Sequence, residues 1–146
     1  MNEIIIDFAT KNDIAQIANI EKLCFSTPWS ENAISESMSA GTHFYVIRKN
    51  DIVAGYMGLS KISGEGYVTN IAILPEYRRQ GLGRLLLQHV IEDSKSDLEF
   101  ISLEVRESNL PAISLYTSFG FEKAGLRKRF YTNPLEDAII MTKNFI

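Results

Sequence analysis

From Tyr67 to Arg84 the chain reads Tyr-Val-Thr-Asn-Ile-Ala-Ile-Leu-Pro-Glu-Tyr-Arg-Arg-Gln-Gly-Leu-Gly-Arg, and Leu85, Leu86 and Leu87 follow at once. Residues up to Leu74 are mostly β-branched, aromatic or aliphatic and read as a strand, which Pro75 ends. Leu82, Leu85, Leu86 and Val90 then recur at helical spacing. Between strand and helix lies a turn carrying Arg78, Arg79 and Arg84 with Gly81 and Gly83. It falls where the first N–H groups of a helix lack intrahelical partners. Glycine brings the backbone close to an anion, the helix N-terminus adds partial positive charge, and arginine supplies charge-assisted donors. The stretch therefore reads as a phosphate cradle set between a strand and a helix.

The rest of the chain bounds what such a cradle serves. A length of 146 residues with 45% hydrophobic content suits one domain with a sizeable core. A formal net charge of -3 argues against a general nucleic-acid binder and for cationic partners such as amines. Cys24 is the sole cysteine, which excludes an intramolecular disulfide and reads as a small buried residue. His43 and His89 are too isolated to suggest a metal site. No stretch approaches the ~20 apolar residues of a membrane span, and no leader pattern opens the chain, so a cytoplasmic location is expected.

In chain order, Glu3–Phe8 reads as a strand. Thr10 with Asp13 resembles a helix start, opening a face of Ile14, Ile17, Ala18 and Leu23. The loop Phe25–Ser30 breaks that helix, and Ser30 caps a second one reaching about Ala40. Trp29 in this loop either staples it to the core or lines a cleft. His43–Arg48 and Ile52–Ile62 form a hairpin around Asn50-Asp51, and a turn at Gly64-Glu65-Gly66 leads into the strand of the cradle, so three successive strands are antiparallel neighbours. A helix from about Gly81 to Ser94 crosses over to a strand at Phe100–Val105, which makes that pair parallel. Along it Ile101, Leu103 and Val105 share one face and Phe100, Ser102 and Glu104 the other. Asn109-Leu-Pro111 opens a helix that stops at Gly120. Phe121–Tyr131 and Asp137–Phe145 complete the sheet.

The cradle lacks the Gly-Lys-Ser/Thr of a P-loop and the third glycine of a dinucleotide fingerprint. The whole block instead resembles the acyl-coenzyme A signature of the GCN5-related N-acetyltransferases (GNAT), an Arg or Gln, two residues, Gly, one residue, then Gly or Ala, met by Arg78, Gly81 and Gly83. The resemblance covers the full length, 1–146, as a single GNAT domain. It implies an α/β fold with a mostly antiparallel mixed sheet of six to seven strands, a central splayed parallel pair and about four flanking helices. It further implies acetyl-coenzyme A as cosubstrate, its pyrophosphate on the turn residues Arg79, Gln80, Gly81, Leu82, Gly83 and Arg84, and its pantetheine arm along the main chain of Ile71, Ala72 and Ile73.

A narrower similarity is to the RimI-type ribosomal-protein alanine N-acetyltransferases. It is carried by Cys24-Phe-Ser-Thr-Pro28-Trp29-Ser30, Leu103-Glu104-Val105-Arg106, Asn109, Ala112-Ile-Ser-Leu-Tyr116, Arg129-Phe-Tyr131 and Glu136-Asp-Ala-Ile-Ile-Met141. This resemblance implies Glu104 as general base, Tyr116 as general acid and Asn109 as a cofactor contact. Trp29 and Tyr131 are weaker candidates for the acceptor cleft, with the carboxylates Glu136 and Asp137 beside them. The implied acceptor is a protein N-terminus, most of all the alanine of the eighteenth small-subunit ribosomal protein, with no direct nucleic-acid or membrane partner. A monomer or weak dimer is expected.

Physical chemistry bears on these roles. An α-amine with a pKa near 8 is about 10% neutral at pH 7, against about 0.04% for a lysine, so it begins roughly 250-fold ahead as a nucleophile. Direct proton transfer from such an amine to a carboxylate near 4.3 would cost on the order of 5 kcal/mol, so either burial raises Glu104 or a water relays the proton. No nucleophile is poised by an adjacent base, which favours direct transfer in a ternary complex. Other readings stay open: Glu104 as a strand carboxylate paired with an arginine such as Arg106, Tyr116 as a core tyrosine, a lysine, polyamine or small amine as acceptor, or a non-catalytic acyl-coenzyme A-binding module.

Overall fold

The structure, a computed structural model, describes residues 3–145. In chain order the elements are β1 Ile4–Phe8, α1 Ile14–Cys24, α2 Glu31–Ser39, β2 His43–Lys49, β3 Ile52–Ile62, β4 Glu65–Ile73, α3 Leu82–Ser94, β5 Phe100–Arg106, α4 Leu110–Ser118, β6 Glu122–Thr132 and β7 Leu135–Asn144. The strand order is β1-β2-β3-β4-β5-β7-β6. Pairs β1·β2, β2·β3, β5·β7 and β6·β7 are antiparallel, and β4·β5 is parallel. This is the mixed sheet with four helices that the sequence led us to expect. The parallel register runs only from Glu65↔Phe100 to Tyr67↔Ser102, and β4 continues on to Ile73.

The chain divides into two compact units, Met1–Ser60 with Thr69–Asp93, and Lys61–Val68 with Ser94–Ile146. In the first, Thr10 accepts from the Asn12 N–H while Asp13 accepts from the Thr10 N–H, closing a capping box around a short 3-10 turn that feeds α1. Ser30 caps α2 by accepting from the Ala33 N–H at 3.1 Å. The core of this unit joins Ile17, Ala18 and Ile20 of α1, Ile34 of α2, Phe44 and Val46 of β2, Val53 and Tyr56 of β3, and Ala72 and Leu74. Two expected core positions lie elsewhere. Leu23 is 57% exposed because, six residues after Ile17, it projects about 120° away from it around α1, and Leu85 is 41% exposed because α3 turns Leu82, Leu86, Leu87, Val90 and Ile91 inward instead.

In the second unit Leu98, Ile101, Leu103, Val105, Tyr116, Phe121, Ala138 and Met141 are buried. Asn109 caps α4 by accepting from the Ala112 N–H at 3.3 Å, and Pro111 sits in the first turn, where its missing N–H costs nothing. Two boundaries differ from expectation. The turn before β4 is Ser63-Gly64, both at positive φ, so Glu65 and Gly66 already belong to the strand. The last hairpin turns at Asn133-Pro134, so β7 begins at Leu135 rather than Asp137.

Candidate functional site

In the first unit, Pro75 removes the N–H that would continue β4 and opens a single 3-10 turn, Pro75–Tyr77. The chain then passes through Arg79 at φ 63° and Gly81 at φ 78° before α3 begins. A Cβ on Gly81 would meet nothing within 4 Å, so glycine is required there by backbone conformation and not by crowding. The first bond of the α3 ladder runs from the Leu85 N–H to the Gly81 carbonyl at 3.1 Å. The N–H groups of Leu82 and Gly83 therefore lie ahead of the ladder, as a phosphate cradle requires. Arg78, Arg79, Gln80 and Gly81 are all exposed, and Lys49 donates to the Gln80 side-chain oxygen, adding a cation to the turn. These residues fit the diphosphate of an acyl-coenzyme A.

Arg78, which the signature counts among its residues, has other work. Its Nε donates to the Ile73 carbonyl at 3.1 Å and its Nη2 to Cys24 Sγ at 3.3 Å, while the Cys24 thiol donates to the same carbonyl at 3.5 Å. The Ile73 carbonyl, at the end of the stretch expected to run along a pantetheine arm, thus accepts from two side chains. Cys24, expected to be buried, is half-buried. Burial pushes its thiol up, against the opposing pull of Arg78.

Trp29 is partly buried and packs against the core of the first unit. With Pro28, Ser30, Ala33, Glu36 and Ser37 it lines an open depression of about 600 Å³. The packing is that of a staple between loop and core.

In the second unit, β5 places Glu104 on the exposed face, with Leu103 and Val105 buried opposite. The Glu104 side chain is 33% exposed. Its ionic partner is Arg127 on β6, at 3.7 Å, not Arg106. Arg106 instead pairs with Glu136 at 3.2 Å, donates to the Pro134 carbonyl at 2.9 Å, and lays its guanidinium 4.3 Å over the Tyr131 ring. Sequence reasoning missed this clamp. The signal was there in the pairing of a Val-Arg strand end with an acidic residue after a turn. Glu136 also accepts from the Ser108 N–H at 2.6 Å, and hydrogen bonding from the Ser108 side chain, then from that N–H and from Arg106, holds its carboxyl below the usual range.

Tyr131 reaches this position because β6 bulges. Arg127 pairs with Ala138 and Tyr131 with Glu136, so residues 128, 129 and 130 face Asp137 alone. Asp137 Oδ1 accepts from the Arg129 N–H at 2.8 Å, fixing Arg129 at φ 55°. Bulges of this kind re-aim side chains beside functional sites. Glu136 and Asp137 are thus both bound into the β6–β7 hairpin. Burial raises the Tyr131 hydroxyl, as does the Glu104 charge. Tyr116 on α4 is 6% exposed and stacks at 5.8 Å on Phe121, and burial, with Tyr131 nearby, pushes its hydroxyl well above its ordinary value. It is therefore both a core tyrosine and a hydroxyl that stays protonated at any physiological pH. Among the described residues, no group of three or more His, Cys, Asp or Glu is arranged to hold a metal, and no helix is long and apolar enough to cross a membrane.

A mixed seven-stranded sheet whose β4 runs through a glycine turn into α3 defines an acyl-coenzyme A-dependent N-acyltransferase. The chain belongs to the GNAT family of acetyltransferases, whose family model, Acetyltransferase (GNAT) family, matches residues 14–121, and it is an acetyl-coenzyme A-dependent N-acetyltransferase. Among curated relatives, it is similar to the ribosomal protein bS18-alanine N-acetyltransferase of Escherichia coli (strain K12), 37% identical over 132 residues that cover 88% of this chain and 89% of that one. Among solved structures, the crystal structure of the ribosomal-protein-S18-alanine N-acetyltransferase from Escherichia coli superposes with a TM-score of 0.92 at 34% identity, covering 98% of this chain and 94% of that one. Arabidopsis thaliana Naa50 in complex with the bisubstrate analogue CoA-Ac-MVNAL gives a TM-score of 0.83 at 25% identity, covering 97% and 99%.

Proposed function

We propose that the whole chain works as one domain that transfers an acetyl group from acetyl-coenzyme A to the N-terminal amine of a protein, the alanine of ribosomal protein bS18 first among acceptors, in the cytoplasm. The observation that carries this reading is the similarity, over 88% of the chain, to an enzyme named for that reaction. A neighbour bound to an acetylated peptide joined to coenzyme A supports a peptide N-terminus as the acceptor class.

In this reading the cosubstrate supplies the acetyl group as a thioester. Backbone N–H groups from Arg79 to Arg84 hold its diphosphate, and the main chain of Ile71, Ala72 and Ile73, with Asn109, steadies the rest. Glu104 takes the proton of the acceptor amine through a water that bridges the two groups. Tyr116 donates its hydroxyl proton to the departing sulfur, a role suited to a group kept protonated by burial. Tyr131 and Trp29 wall the acceptor. Transfer is direct, with no acyl-enzyme.

Glu104→Gln and Tyr116→Phe test the assignment. Each is expected to lower kcat by about 10² to 10³ while coenzyme A affinity changes less than about twofold. Unchanged turnover in both variants would remove these residues from the chemistry.

A further inference from the structure

Glu21 is a carboxylate in the last turn of α1 that is 1% exposed. Its Oε1 accepts from the Trp29 backbone N–H at 2.9 Å; its Oε2 accepts from the Tyr56 hydroxyl of β3 and from Asn70 Nδ2 of β4 at 3.3 Å. Among the described residues its partners are three donors and no cation. Burying a carboxylate costs several kcal/mol unless donors replace its water, and an apolar side chain of similar volume often serves stability as well or better. Stability alone therefore does not explain a carboxylate here. What it does is join four pieces of chain at one point: the end of α1, the loop bearing Trp29, β3, and the β4 residue just before Ile71.

The Asn70 amide shows the same priority. Its Nδ2 is turned to Glu21, which leaves Oδ1 buried without a hydrogen-bond partner. An orphaned buried acceptor costs about 1–3 kcal/mol, so the arrangement fixes an orientation and does not maximise satisfied bonds. Burial, with Glu21 beside it, raises the Tyr56 hydroxyl, which keeps that group a donor.

We propose that Glu21 is a positioning residue for the acceptor amine, acting through the Trp29 loop and Asn70. This rests on the reading of Trp29 as an acceptor wall. None of its side-chain hydrogen bonds goes to the diphosphate turn. Its removal should therefore be felt in acceptor recognition and not in cofactor binding.

Trp29 is the only tryptophan of the chain, so its fluorescence reports on this loop directly. In the full-length protein, Glu21→Leu is expected to red-shift Trp29 emission and raise the KM for an alanine-starting peptide about tenfold, while calorimetric coenzyme A affinity stays within about twofold. Glu21→Gln keeps an oxygen for the Trp29 N–H and is expected to restore the emission and bring that KM to within about threefold of wild type. Should Glu21→Leu fail to fold, Asn70→Ala cuts the link to β4 alone and is expected to raise the peptide KM at least about threefold. Unmoved emission and peptide KM in the variants, or a peptide KM that rises only in step with lost cofactor affinity, would overturn the proposal. A wild-type protein inert toward every amine would instead defeat the functional reading beneath it.

Discussion

Arg127 Nε lies 3.7 Å from Glu104 Oε1, with the two side chains 57% and 33% exposed. A pair so open to water is worth roughly 0–1 kcal/mol, which makes it easily displaced. In the proposed mechanism, with Glu104 as the base, Arg127 would occupy it until the acceptor arrives. Arg127→Gln is expected to leave Tm within about 2 °C and to lower the acceptor KM about two- to fivefold in steady-state kinetics. A raised KM would mean that Arg127 helps recognise the acceptor.

The pH dependence follows from which groups titrate. An N-terminal amine gains its neutral form as pH approaches about 8, so kcat/KM should climb up to that point and level off near pH 8.5. Tyr116 and Tyr131 are both raised above their ordinary value of 10, each chiefly by burial. Neither loses its proton in this range, so no decline is expected below about pH 10. A fall in activity between pH 8 and 9.5 would exclude Tyr116 as the acid.

Acid stability should carry the signature of Asp13. Burial alone would raise its carboxyl, but the 2.9 Å hydrogen bond from Arg48 and the bond from Thr10 hold it below its ordinary value of 3.8. A carboxyl depressed by folding stabilises the protein above its unfolded pKa, and that contribution is lost as pH falls through the folded one. Asp13→Asn is expected to cost about 1–3 kcal/mol in urea unfolding at pH 6. The gap from wild type should narrow as pH falls below 3.8. A gap that persists unchanged in acid would place the effect in packing.

Gly81 and Gly41 make a matched pair, with φ of 78° and 104° and open space where a Cβ would go at each. Either Gly→Ala change should cost about 1 kcal/mol of stability through backbone strain. Only Gly81→Ala should also weaken coenzyme A binding in calorimetry, by about tenfold, because only that turn is assigned the diphosphate. Equal cofactor affinity in the two variants would move the diphosphate site elsewhere.

Periodicity and capping made most of the fold readable before the structure, since Ser30, Pro75 and Pro111 act through local rules that need no partner. The missed features depend on contacts distant in sequence. Arg78 also reaches the Ile73 carbonyl and Cys24, contacts that the turn pattern does not announce. Arg127, not the neighbouring Arg106, meets Glu104 because the β6–β7 register and its bulge decide who faces β5. Glu21 did leave a trace, being four residues after Ile17 and three after Ala18 on the buried face of α1, where a carboxylate needs an explanation. Leu23 was misplaced because it was grouped by apolar character, whereas helical spacing sets it about 120° around α1 from Ile17.

The most direct test of the central claim uses one peptide that begins with alanine and carries an internal lysine, incubated with the wild-type protein and acetyl-coenzyme A and read by fragment mass spectrometry. The account predicts a single acetyl group, on the terminal amine. Acetylation of the lysine with the terminus left untouched would contradict it.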